Sequence, residues 1–228
     1  MMQGYVETNH VRLHYLDRRG DGPTLILLPG LTANAYVFNG LINAGLGEHF
    51  RVLAIDLRGR GQSDAPDGPY DVATHADDVL GLMDALDIDA AIMGGHSFGG
   101  LISYYLAANH PERVSMCVAM DAPAEVHLGI MDQIKPSLDR LGMVFPSWIE
   151  YLALVKGAPY FNGWWDPAIE EYYRQDLRIN DDGTVQAISA PEHIRAAALA
   201  TLDIDWSEVV ARIVAPTLLL RAPDPLGS

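Results

Sequence analysis

Ala90-Ala91-Ile92-Met93-Gly94-Gly95-His96-Ser97-Phe98-Gly99-Gly100 reads as an apolar strand that enters a sharp turn and leaves it as a helix, the helical stretch continuing over Leu101 to Ala108. Strand, turn, helix is the context that a G-x-S-x-G nucleophile elbow requires, and here the elbow is Gly95-His96-Ser97-Phe98-Gly99. The glycines have a mechanical reason. The apex residue takes a strained backbone conformation, and side chains beside it would collide with the strand and helix packed against the turn. Ser97 is therefore the candidate nucleophile, its hydroxyl lifted above a sheet. A Gly-rich turn that merely feeds a helix is the alternative.

Outward from the elbow the same grammar repeats. Thr24-Leu25-Ile26-Leu27-Leu28 and Arg51-Val52-Leu53-Ala54-Ile55-Asp56 are uninterrupted apolar runs of the kind a strand buried on both faces needs. Helical patterns lie between the runs, at about Val37 to Leu46 and Asp71 to Leu86, the second with apolar residues at Val79, Leu80, Leu82, Met83 and Leu86. Tyr5 to Thr8 and Val11 to Tyr15 read as a hairpin around Asn9-His10, and Val114 to Met120 and Pro216 to Leu220 supply two more strands. Strands alternating with helices at this spacing predict an α/β fold: a mostly parallel, twisted sheet with flanking helices.

Between about Ala124 and Ala200 the rhythm breaks into helical patterns with no convincing strand. The expected division is a core over residues 1–123, an inserted helical cap over 124–200, and a second part of the core over 201–228. The cap gathers many of the chain's aromatics. Packing on the sheet domain is their ordinary use, and Trp148, Trp164 and Trp165 are the candidates for lining an apolar substrate pocket between cap and sheet.

Composition narrows the function. With 15 Lys plus Arg against 30 Asp plus Glu, the net charge of −15 repels phosphate backbones and anionic lipid, so neither nucleic acid nor a membrane is an expected partner. No signal-peptide pattern and no membrane-length apolar run occurs, and the single cysteine, Cys117, sits in a strand-like run as a small hydrophobe. A cytoplasmic location follows as the expectation. No metal or cofactor is implied.

Four motifs in order resemble the α/β-hydrolase superfamily, in its lidded branch of esterases, lactonases and carbon–carbon bond hydrolases. They are Leu28-Pro29-Gly30-Leu31-Thr32, the segment from Asp56 through Arg58-Gly59-Arg60-Gly61-Gln62-Ser63 to Asp64, the elbow, and the ending Ala215-Pro216-Thr217-Leu218-Leu219-Leu220. The resemblance implies an oxyanion hole made by the backbone N–H groups of Phe98 and Leu31, with the 58–64 loop a structural turn beside the site. Adjacent side chains in a sharp turn point apart, so His96 reads as an oriented neighbour of Ser97 and not as its base. The resemblance places the acid of a triad at Asp224, after the seventh strand, at Asp121, at the end of the sixth, or at a residue beyond Ser228. It also places the histidine base after the acid.

The last histidine here is His193 and the sequence stops at Ser228, before the final strand, base-carrying loop and last helix of the family. The expectation is therefore a piece of a longer protein or a cleaved product, inactive by itself. His127 and His193 are the substitutes to consider as base, whereas His110 reads as a helix-end residue and His10, His14, His49 and His75 as surface or hairpin residues. The function expected is a serine hydrolase cleaving a small, largely apolar ester, lactone or carbon–carbon substrate. The competing class is a non-catalytic small-molecule-binding protein on the same fold.

Overall fold

The computed structural model describes residues 1–127, 129–158, 161 and 163–221. The apolar runs become strands as expected: β1 (Met2–Thr8), β2 (Val11–Arg18), β3 (Thr24–Leu28), β4 (Arg51–Ile55), β5 (Ala91–His96) and β6 (Val114–Met120). Three short strands follow, β7 (Val144–Phe145), β8 (Leu177–Ile179) and β9 (Val185–Ala187), before β10 (Thr217–Leu220). The main sheet has seven strands in the order β1-β2-β4-β3-β5-β6-β10. It is antiparallel only where β1 meets β2 and β2 meets β4, and parallel from β4 to β10.

Burial explains the runs. Leu25 to Leu28 in β3 and Val52 to Ile55 in β4 are all buried, one face of the sheet packing with Val79, Leu82, Met83 and Ile102, the other with Ala35, Phe38 and Ile42. Each such Leu or Ile contributes about 1.5–3 kcal/mol by leaving water. The hairpin closes at Asn9 and His10, with φ of 42° and 58°, the paired left-handed conformation of a tight two-residue turn.

The helix Val72–Ala85 starts on Asp71, whose carboxylate accepts from the Thr74 N–H, and buries Val72, His75, Ala76, Val79, Leu82 and Met83 along one stripe. The single helix expected over Val37–Leu46 is corrected. Residues 35–49 form a chain of short helical turns, interrupted at Gly45, whose φ of 108° no continuous helix accommodates.

The stretch after Ala124 also departs from the expectation of helices alone. It holds the helices Ile130–Leu141, Trp148–Lys156, Pro167–Arg174 and Pro191–Ala200, and a three-stranded antiparallel sheet in the order β7-β9-β8. Strands of two or three residues are too short to show an alternating pattern. The β8–β9 turn carries a signal all the same: Gly183 has φ of 83° and donates to the Asn180 carbonyl at 2.9 Å.

Candidate active site

β3 sits between β4 and β5, so the chain leaves it toward one side of the sheet and leaves β5 toward the other. In open parallel sheets such a reversal opens a crevice at the carboxyl ends of the two strands. Pro29-Gly30-Leu31 and the elbow stand at that crevice, side by side, because Leu28 pairs with Gly95.

Ser97 has φ 49° and ψ −114°, a conformation that costs a non-glycine residue about 1–3 kcal/mol. The surroundings fix it: its N–H donates to the Met120 carbonyl at 2.9 Å, and its own carbonyl accepts from Gly100 N–H at 2.9 Å and Leu101 N–H at 3.1 Å. The glycines do what the sequence argument asked of them. A Cβ on Gly95 would overlap the Gly99 backbone, one on Gly99 the Leu28 and Pro29 carbonyls, and one on Gly100 the Ala122 side chain. A Cβ on Gly30 would come within 3.0 Å of His96 Nδ1, so that ring lies against the loop after β3.

Phe98 is the first residue of the helix Phe98–Asn109, so its N–H has no carbonyl one turn back to bind and carries the positive end of the helix dipole. Leu31 follows Gly30, and its side chain packs against both the main core and the Leu138, Leu141 and Ile194 cluster beyond Ala124.

Behind these residues lies the 58–64 loop, closed by Gly59 N–H to the Asp64 carbonyl at 2.8 Å and Ser63 N–H to the Arg60 carbonyl at 3.1 Å. Asp56 anchors it, accepting from Gln62 N–H at 2.8 Å and Ala35 N–H at 2.6 Å and pairing with His14 Nδ1 at 2.7 Å. Arg58 grips Asp78 through two hydrogen bonds of 2.6 Å. The sequence reading of His14 and His75 as surface or hairpin residues holds only in that His14 lies in the hairpin strand β2. Both are completely buried. His75 falls on the apolar stripe of its helix, a signal that periodicity carried. Sequence reading also missed Arg60, whose guanidinium is enclosed between the rings of Phe98 and Tyr70, 5.7 and 5.9 Å from their centroids.

Asp121 follows β6 with φ 48°, exposed, its N–H donating to the Leu220 carbonyl at 2.7 Å, which puts it on the same carboxyl edge as Ser97. Asp224 lies outside the described residues. His127 is exposed and pairs with Glu125 at 3.6 Å. His193 is stacked on Tyr70 at 4.3 Å, with Nδ1 buried and unpartnered among the described residues.

Trp148 and Trp165 pack around Tyr151, Val155 and Tyr173. Trp164 is 66% exposed and lines a groove of about 450 Å³ with Val37, Leu41, Ile169 and Tyr172. Burial pushes the Cys117 thiol up to about 12, which makes it inert at neutral pH. Among the described residues, no cluster of three or more His, Cys, Asp or Glu side chains could hold a metal ion, and no helix is long and apolar enough to cross a membrane.

Residues 23–161 match the family described as alpha/beta hydrolase fold. The chain belongs to that family. Among its relatives is the 2-(acetamidomethylene)succinate hydrolase of Mesorhizobium japonicum, 33% identical over 127 residues, which are 56% of this chain and 45% of that protein. A solved structure of E-2-(acetamidomethylene)succinate hydrolase superposes with a TM-score of 0.85 at 25% identity, covering 96% of this chain and 79% of that one. The enol-lactonase from Burkholderia xenovorans LB400 superposes with a TM-score of 0.73 at 28% identity, covering 95% and 80%. The chain matches about half or less of the length of the first curated relatives. Within this α/β-hydrolase fold, the elbow, the loop after β3 and the end of β6 converge on one crevice.

Proposed function

We propose that this α/β-hydrolase chain carries the nucleophile and oxyanion hole of a serine hydrolase acting on small ester, lactone or related carbonyl substrates. The observation that carries the reading is the strained Ser97, held at the apex between β5 and its helix with the Pro29–Leu31 loop beside it. Backbone hydrogen bonds hold that strain in place, and strain held at a crevice is the mark of a functional position.

In this reading a general base takes the Ser97 proton and Oγ attacks the substrate carbonyl carbon. The carbonyl oxygen becomes an oxyanion that accepts from the Leu31 and Phe98 N–H groups. Collapse expels the alcohol or enol, which takes the proton, and water releases the acyl group by the same route. The acid that orients the base is Asp121, at the end of β6, or Asp224, which follows β10 in the sequence. Two buried histidines are engaged elsewhere: His14 with Asp56, and His75 with Asp71 and Arg60. Residues 124–200 form the cap in this reading, over a core of residues 1–123 and 201–228, and the substrate lies between them. The names of the succinate hydrolase and the enol-lactonase support a small, activated carbonyl substrate.

Ser97→Ala tests the reading. In the complete protein it should lower kcat on a short aryl ester or lactone by several orders of magnitude while leaving the unfolding transition in place, because the members of such a site act as a unit. Hydrolysis at the wild-type rate in that variant would overturn it.

A further inference from the structure

Arg60 is completely buried and has no carboxylate partner among the described residues. Its Nε donates to the Leu31 carbonyl at 3.1 Å and its Nη1 to the Arg58 carbonyl at 2.7 Å, while Nη2 has no partner among the described residues. Asp78, an acid of this corner, is taken by Arg58.

The remaining contact is His75. Its Nδ1 lies 2.8 Å from the Asp71 carbonyl, which assigns the ring proton to Nδ1 and leaves Nε2 to accept from Arg60 Nη1 at 3.1 Å. Burial, with Arg60 and Arg58 beside it, holds His75 well below the usual histidine range, so it supplies no counter-charge and no second cation.

A buried cation answered only by carbonyls, a neutral ring nitrogen and two aromatic faces has no counter-charge to offset its desolvation, although it does satisfy three buried acceptors. Its contacts point to another use. The carbonyl it holds is that of Leu31, and one ring it faces is that of Phe98.

We propose that Arg60 is a positioning residue for the oxyanion hole: it fixes Leu31 through its carbonyl and Phe98 through its ring, and sets an uncompensated positive charge behind both N–H groups. This inference rests on the assignment of Ser97 and its backbone hole. The charge it favours develops on the substrate oxygen only as Ser97 attacks, so Arg60 acts on kcat and leaves ground-state binding alone.

The test compares wild type, Arg60→Met, Arg60→Lys and Ser97→Ala, using a short aryl ester and a boronic acid that becomes a tetrahedral anion on the serine. Arg60→Met should still unfold cooperatively, at a lower temperature because three buried acceptors lose their donor, and lose about tenfold to a hundredfold in kcat. KM should stay within about twofold, and boronate affinity should fall in parallel with kcat. Arg60→Lys, which keeps a charge and loses the planar fork, should recover part of both.

Wild-type kcat and boronate affinity in Arg60→Met would overturn the inference, as would a loss confined to KM. If Arg60→Met does not fold, Arg60→Lys decides, and an unchanged ratio of boronate affinity to KM there overturns the inference. Should Ser97→Ala keep its rate, the parent reading fails. Should Ser97→Ala be inactive while the Arg60 variants match wild type, only the role of Arg60 falls.

Discussion

His75 makes its strongest contribution by staying uncharged. Its ordinary value is about 6.5, and in the fold, burial first and the neighbouring guanidinium second hold it well below that. Above pH 7 it is neutral in both folded and unfolded chains and has no effect on the balance. Below pH 6.5 the unfolded chain takes up a proton that the folded chain refuses, so stability falls with pH, by at most about 1.4 kcal/mol per unit from this group. Urea unfolding at pH 7.5 and 5.5 should show that loss, and His75→Gln should show a smaller difference between the two conditions. An equal difference in variant and wild type would exclude His75 as the source. Positions whose backbone conformation depends on local geometry were legible in the sequence: the strained turn at Ser97 and the close approaches at Gly95 and Gly99 are set within five neighbouring positions. Arg60 and His14 were not, because a charged or polar residue enters the interior only when distant partners meet it, and no local pattern records Leu31 beside Arg60 or Asp56 beside His14.

Among elements, the elbow helix is fixed by close approach to β3. Gly99→Ala would drive a Cβ into the Leu28 and Pro29 carbonyls, backbone that cannot rotate aside. The expected cost is about 2 kcal/mol or more, read as a lower denaturation midpoint. Gly183→Ala, in an open turn with φ 83°, should cost less, about 1 kcal/mol, from conformation alone. The tryptophans should separate in the same way. Trp165 stacks on Tyr173 at 6.0 Å and donates to Glu170 at 3.2 Å, so Trp165→Ala should lose about 2 kcal/mol of stability. Trp164→Ala should leave stability unchanged and alter the relative rates on substrates of different bulk. Equal relative rates in that variant would remove the groove beside Trp164 from the substrate path. Long buried strands announced themselves as apolar runs, and the helix Val72–Ala85 as a periodic stripe. The broken turns of residues 35–49 and the strands β7, β8 and β9 did not, since one glycine's φ decides the former and tertiary pairing the latter.

At the scale of the whole molecule, the main sheet among the described residues ends on β10, whose Leu218, Leu219 and Leu220 are 49%, 65% and 47% exposed. Beside them an apolar groove of about 630 Å³ runs over Leu25, Leu27, Phe50, Ile92 and Met116. An edge strand with unpaired backbone groups and bare leucines associates readily. The 228-residue chain should therefore scatter light as oligomers at micromolar concentration, and Leu219→Lys should reduce that scattering without altering the elbow. A strictly monomeric wild-type chain would contradict this. Alternation of strands and helices implies a mostly parallel sheet, which is why the fold class was legible when the order of the strands and the partners of individual polar side chains were not. Ser97 is the centre of the proposed function, and the most direct measurement is exhaustive reaction of the protein with a serine-directed fluorophosphonate followed by peptide mass mapping. A single phosphonyl adduct on the peptide containing Ser97, absent in Ser97→Ala, is the predicted result; an adduct on another residue, with Ser97 unmodified, would contradict it.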